Sequence, residues 1–372
     1  MSIDLEKMSR LGFGLMRLPE KDGQIDLQTV CNMVDAYMNK GFNYFDTAYI
    51  YHSGNSEKVV KEAITKRYPR DKFMLATKLP AWEIKCEADI ERIFNEQLEK
   101  TGAGYFDFYL LHSVEEGNNY DTHVKYNSFE WAMKKKEQGL IKHFGFSFHG
   151  SPKLLEQVLD EHPEVEFVQI QLNYADWDNP IVQSGKLYKI LHERNIPMII
   201  MEPIKGGSLA NPVQEIQALF KEASPSETPA SIALRFVSSL PGVMTTLSGM
   251  STPEQINQNL ETYANFKPLT DSEKTAIKKA VEIIKSIDLI GCTGCRYCVD
   301  GCPKNIPIPD VFRAVNTITM YNEDFRPRAF YNGITEKTGK AKDCIKCGQC
   351  ESVCPQHLKI MSLIEESSAK LD

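Results

Sequence analysis

The chain has 372 residues, 42% hydrophobic and 25% charged, which is apolar mass for a full core and more length than one ordinary domain needs. A formal net charge of −7 argues against nucleic acid or an anionic membrane surface as a main partner. The opening MSIDLEKMSRLGFG has no apolar signal-like core, and no run reaches the length of a membrane span, so a cytoplasmic protein is expected.

Expected strands fall at residues 11–16, 42–46, 73–78, 106–112, 141–148, 167–173, 197–201 and 243–248, rich in Phe, Ile, Leu and Val without strict alternation. Such runs suit a parallel sheet buried on both faces. Helix signals lie between them. Leu27, Val30, Val34, Tyr37 and Met38 share one apolar face closed by Gly41, and further helices are expected over 57–68, 88–100, 126–138, 152–160, 181–194, 229–238 and 253–263. Eight β/α units in roughly 250 residues is the measure of a TIM barrel, so the expected fold class is α/β, with a (β/α)8 barrel over residues 1–266. The competing arrangement is a doubly wound open sheet, which no early G-x-G-x-x-G supports. Residues 270–287 open with a capping signature, Thr270 and Glu273, ahead of an amphipathic run, and 267–290 is expected to form a linker helix.

The last stretch, 291–372, holds eight of the ten cysteines in two identical frames. Cys292, Cys295, Cys298 and Cys302 precede Pro303; Cys344, Cys347, Cys350 and Cys354 precede Pro355. Disulfides are disfavoured in a reducing cytosol, and structural zinc usually takes two well-separated C-x2-C pairs. Cys31 and Cys86 lie outside both frames and read as ordinary thiols. The frames resemble those of bacterial two-cluster ferredoxins. The resemblance implies two [4Fe–4S] clusters with crossed ligands: Cys292, Cys295 and Cys298 joined by Cys354, and Cys344, Cys347 and Cys350 joined by Cys302. A long insert between the frames, helical around 311–320, makes a small, mainly α-helical ferredoxin-like domain the expectation.

A second constellation sits at the C-terminal ends of the expected strands, where barrels of this kind place their chemistry. Asp46 closes the second strand and Tyr51 follows it; Lys78 and His112 end the third and fourth. Carbonyl reduction is the chemistry such groups share. A free phenol, with a pKa near 10, exchanges protons poorly at neutral pH. A neighbouring ammonium favours the exchange, a carboxylate holds the ammonium, and an imidazole can polarise the carbonyl oxygen. In this order, together with LGFGLMRLP, DTAYIY, HSGNSE, ATK, YFDFYLLH, IKHFGFS, FVQIQLNY and GMSTPEQINQN, the four residues resemble the aldo-keto reductases over about residues 9–266.

That resemblance implies an oxidoreductase with Tyr51 as proton donor, Lys78 as its modulator, Asp46 as the partner of Lys78 and His112 as carbonyl orienter. It implies an NAD(P)H pocket at Ser147, Gln169 and Asn173, with Gln171 on the same strand. A pyrophosphate loop is implied at Ile204, Gly206, Gly207 and Ser208, and adenosine contacts at Gly249, Ser251, Thr252, Gln255 and Asn259. The chain departs from the family pattern at several points. Met201 stands where an aromatic often stacks on nicotinamide, Glu202 follows it, Phe148 replaces a frequent Asn, and His149 adds a polar group. Gly249 and Gln255 occupy positions that often hold cations, so no strong NADPH preference is expected, with Arg17 as a spare cation.

Hydride moves two electrons, whereas an Fe–S cluster passes one, so a flavin, in the chain or on a redox partner protein, is a candidate mediator. The expected function is oxidoreduction of a small-molecule carbonyl or alcohol, with clusters for electron transfer. The alternative is a non-catalytic redox adaptor or sensor whose barrel binds nucleotide and whose clusters dock a partner.

Overall fold

The computed structural model describes residues 3, 7–116, 118–179, 182–321 and 325–372. The chain divides into two compact units. One runs to Pro203 and resumes over Ala233–Leu269; the other comprises Ile204–Ile232 and Thr270–Asp372.

In the first unit eight parallel strands close into a barrel: β1 Leu11–Gly14, β2 Tyr44–Asp46, β3 Met74–Pro80, β4 Phe106–Val114, β5 Ile141–Phe148, β6 Phe167–Gln171, β7 Met198–Met201 and β8 Val243–Ser248. Strand β1 pairs with both β2 and β8, so no edge is left open and the doubly wound sheet is excluded. Each strand falls within an expected run to a few residues. Helix Leu27–Asn39 starts where the Asp26 carboxylate accepts from the Thr29 N–H at 3.1 Å. The stretch expected as one helix at 57–68 is a short α-helix, Ser56–Val60, continued by one π turn, Lys61–Thr65. The helix expected from 181 is found as Ser184–Glu193, and Ile181 lies outside the described residues. A two-stranded hairpin, Glu20–Lys21 with Gln24–Ile25, and the helix Asn118–Lys125 were not anticipated.

Strand periodicity positions the site. Side chains two apart share a face, and Tyr44, Ala76, Phe108, Leu110, Phe167 and Ile199 pack together as one buried cluster. Two residues further along their strands from Tyr44, Ala76, Leu110 and Phe167 come Asp46, Lys78, His112 and Gln169, all buried. An aromatic layer therefore carries a polar one: Phe108 lies 5.2 Å from both Tyr44 and Phe167, ring centre to ring centre.

The second unit is helical. Helix Asp271–Ser286 begins with the expected box, in which Thr270 Oγ1 accepts from the Glu273 N–H at 3.2 Å and the Glu273 carboxylate accepts from the Thr270 N–H at 2.8 Å. It packs on an unanticipated helix, Gln214–Ala223. The cysteine frames form two short helices, Tyr297–Asp300 and Gln349–Ser352, followed by Ile308–Tyr321 and Ile360–Leu371, with Phe325–Ile334 in the insert. The duplication runs deeper than the cysteines. Left-handed backbone recurs at Gly294 and Lys346, at Arg296 and Gly348, and at Asn305 and His357. The N–H groups of Asn305 and His357 each donate to the carbonyl of their frame's last cysteine at 2.9 Å. No helix among the described residues is long and apolar enough to cross a membrane.

Candidate active site and cysteine nests

In the barrel, Lys78 Nζ donates to Asp46 Oδ1 at 2.6 Å and to the Thr47 carbonyl at 2.8 Å. Both charged groups are almost wholly removed from water. Burial drives the Lys78 ammonium down from its usual range and the Asp46 carboxyl up, and their contact opposes both shifts. Gln169 Nε2 donates to the other Asp46 oxygen at 3.4 Å. Tyr51 lies past β2 in a turn closed by left-handed His52, Ser53 and Gly54. Its ring centre is 5.0 Å from Lys78 Nζ and 6.1 Å from the His112 ring, edge to face. The structure thus brings Asp46, Tyr51, Lys78 and His112 together.

His112 is held far below the usual imidazole range by burial, then by Lys78, His149 and His123, so it is neutral at physiological pH. A register shift between Leu111 and Val114, with Ser113 at φ 58°, interrupts the pairing of β4 with β5 just past His112, the kind of irregularity that re-aims a side chain. Ser147 Oγ accepts from the Ser113 N–H at 2.8 Å.

Three supporting features escaped the sequence reading. Gln97 Nε2 donates to the Lys78 carbonyl at 3.0 Å and to buried Glu57 at 2.9 Å, and Thr77 donates to the same Glu57 oxygen at 2.7 Å. Trp82, 41% exposed, sets its ring 5.1 Å from that of His112. Buried Asp176 accepts from Gln171 Nε2 at 3.0 Å and Asn173 Nδ2 at 2.8 Å, so both amides already serve a local network. The NSE of HSGNSE and the NYAD after β6 held two of these residues, but nothing in sequence paired them across strands.

The remaining expected nucleotide positions fall in two segments, one in each unit. Asn259 Nδ2 donates to Ser248 Oγ at 3.0 Å, Thr252 caps the helix Pro253–Ala264, and the Ser251 N–H donates to Gln255 Oε1 at 2.7 Å. Arg17 lies alongside Gly249, its Cδ 3.1 Å from the place a Cβ there would take, and its carbonyl accepts from Ser251 Oγ at 2.8 Å. Ile204, Gly206, Gly207 and Ser208 belong to the second unit. Gly206, at φ 64°, abuts the Thr293 carbonyl, whereas Gly207 faces open space.

In the second unit the eight cysteines line two cavities. Cys292, Cys295, Cys298 and Cys354 line one, with Thr293, Phe312 and Gln356 among the other walls. Cys302, Cys344, Cys347 and Cys350 line the other, walled by Ile306, Ile345 and Met361 among others. No three or more His, Cys, Asp or Glu side chains among the described residues are gathered tightly enough for a single ion. The thiols instead line two separate pockets, four to each. The Cys298 thiol is pushed far up by burial, then by Cys295, Cys292 and Cys354; that of Cys350 is pushed up to about 11 by burial and then by Cys344.

Comparison with known proteins agrees with both halves. Residues 10–282 match the model of the aldo/keto reductase family, and residues 291–358 that of a 4Fe-4S dicluster domain. An uncharacterized oxidoreductase, YqkF of Bacillus subtilis, is 24% identical over 302 residues, covering 73% of this chain and 92% of its own. An aldo-keto reductase of Mycobacterium avium is 26% identical over 263 residues, covering 70% and 82%. Among solved structures, the holo form of an aldo-keto reductase from Bacillus halodurans superposes with a TM-score of 0.60 at 23% identity, covering 73% and 92%. One from Klebsiella pneumoniae, in complex with NADP and acetate, gives 0.59 at 19%, covering 73% and 91%. With its closed eight-stranded barrel and its cysteine-rich helical extension, the chain belongs to the aldo/keto reductase family and carries a 4Fe-4S domain at its C-terminal side.

Proposed function

We propose that this oxidoreductase transfers hydride between a nicotinamide nucleotide and a small carbonyl or alcohol, with Tyr51 exchanging the proton. The observation that carries the reading is the buried Lys78 ammonium, pinned by Asp46 and Thr47 within 5.0 Å of the Tyr51 ring centre. The nicotinamide, when bound, supplies the hydride; the side chains handle the proton and the developing charge. Lys78 favours the phenolate left when Tyr51 gives up its proton, and Asp46 keeps Lys78 charged against the pull of burial. Neutral His112 donates one ring N–H toward the carbonyl oxygen, which stabilises charge there without competing for the proton. Ser147 and Gln169, neighbours across β5 and β6, are assigned to the nucleotide's carboxamide.

We assign the two nests to two [4Fe–4S] clusters with crossed fourth ligands. Each pocket is lined by three cysteines of one frame and the last cysteine of the other, which supports the assignment. A flavin, resident or on a partner, is the group that would match two-electron barrel chemistry to one-electron clusters.

Tyr51→Phe tests the barrel chemistry, since it removes one hydroxyl. Folding and nucleotide binding should survive while anaerobic carbonyl reduction falls by roughly 10²-fold or more. Retention of most activity would move proton transfer away from Tyr51, with His112 the next candidate.

A further inference from the structure

The loop after β7 was expected to offer small residues to a pyrophosphate, yet Gly206 has a different neighbour. A Cβ there would fall far inside van der Waals contact of the Thr293 carbonyl oxygen, with the Thr293 carbonyl carbon and Cα also crowding it. Thr293 sits between Cys292 and Cys295 and lines their cavity. Both surfaces in this contact are main chain, so neither can swing aside as a flexible side chain would. The other nest has its own version. A Cβ on Gly339, in the insert, would collide with the Lys304 carbonyl, and Lys304 lines the cavity of Cys302, Cys344, Cys347 and Cys350. The Gly339 N–H donates to the adjacent Asn305 carbonyl at 3.1 Å, which holds that contact in register.

We infer that Gly206 is a positioning residue for the Cys292, Cys295, Cys298 and Cys354 nest, as Gly339 is for its counterpart. The inference rests on reading the nests as cluster sites. It gives the loop after β7 a structural duty toward one cluster alone: moving the Thr293 carbonyl displaces the two cysteines flanking it, and with them the thiolates that set the cluster's environment. The second nest, seated by the insert, does not depend on that loop.

The test uses the full chain, purified or reconstituted without oxygen, as Gly206→Ala, Gly207→Ala and Gly339→Ala. Gly207 is the control for strain: it too is left-handed, at φ 103°, but nothing lies near its missing side chain. Iron and acid-labile sulfide are counted, and each cluster's midpoint potential is followed by EPR, with Cys295→Ser and Cys347→Ser as references for the two nests. Gly206→Ala should shift or abolish only the signal missing in Cys295→Ser, with iron falling from about eight toward about four per chain if that cluster is lost. Gly339→Ala should change only the other signal, and Gly207→Ala neither. Wild-type potentials and iron content in Gly206→Ala would overturn the inference. So would an equal effect of Gly207→Ala, which would trace the change to loop strain. A wild-type chain that binds no iron would instead overturn the cluster reading itself.

Discussion

The residues legible in the sequence were those whose position follows from strand periodicity. Asp46, Lys78 and His112 close apolar runs and extend the inward-facing set, so motif and alternation pointed to the same place. Gln97, Glu57 and Trp82 were not legible, because each matters through tertiary contacts that no local pattern encodes. Glu115, just past β4, was not legible for another reason, its burial. Burial pushes its carboxyl up to about 7, Glu116 adds repulsion, and hydrogen bonds from Ser113 and Asn119 offset only part of the shift. Between the ordinary value of 4.5 and about 7 the folded chain keeps a proton that the unfolded chain has released. The stability this contributes is full at low pH and is lost as pH rises through 7. Glu115→Gln cannot ionise, so its stability advantage over the wild type should grow by about 1 kcal/mol between pH 6 and pH 8.5, read by urea denaturation. An advantage independent of pH would show that Glu115 is not the titrating group. Arg17 yields a second expectation. It is the cation beside Gly249, where the family pattern's own cations are missing. NADH and NADPH should bind within about tenfold of each other, and Arg17→Ala should erase any excess for NADPH, since a 2′-phosphate gains little without a guanidinium or ammonium partner. Anaerobic titration of both nucleotides decides it; an undiminished NADPH preference in the variant would assign recognition elsewhere.

Among whole elements, the eight strands and most helices were readable because apolar runs and end signals coincided. The helix Asp271–Ser286 shows this best: Thr270 and Glu273 form the reciprocal cap that their spacing announces. Thr270→Ala should cost about 1 kcal/mol in thermal or urea unfolding, and Thr270→Ser much less. Equal losses for both would mean the methyl, not the hydroxyl, matters. The π turn at Lys61–Thr65 lay hidden, since its composition is that of an ordinary helix. The cysteine repeat was underestimated for a related reason. After Pro303 the chain reads Lys-Asn-Ile, and after Pro355 it reads Gln-His-Leu, so little sequence is shared. What repeats is backbone conformation, left-handed at Asn305 and His357, leading into the helices that start at Ile308 and Ile360.

For the molecule as a whole, the packed units do not follow chain order. The segment Ile204–Ile232 lies in sequence between β7 and β8, yet it belongs with Thr270–Asp372. Reading along the chain favours consecutive stretches, because each β/α step looks like the one before it. An apolar pairing of helices joins the two segments. Helix Gln214–Ala223 buries Ile216 and Phe220, helix Asp271–Ser286 buries Ala276, Ile277 and Ala280, and the two helices pack together. The Gly206 contact with Thr293 ties the same segment to a cysteine nest. If the nests hold clusters, their binding energy is also folding energy for everything packed on them. Stripping iron by anaerobic chelation should therefore raise amide exchange over 204–232 as well as over 291–372, while β2 to β6 keep their protection. Hydrogen–deuterium exchange with peptide resolution measures this directly. A Gln214–Ala223 segment that stays protected with the barrel strands after iron loss would show that its stability comes from the barrel. Loss of protection together with the nests would show that the family's barrel has lent one of its own β/α connections to the iron–sulfur unit.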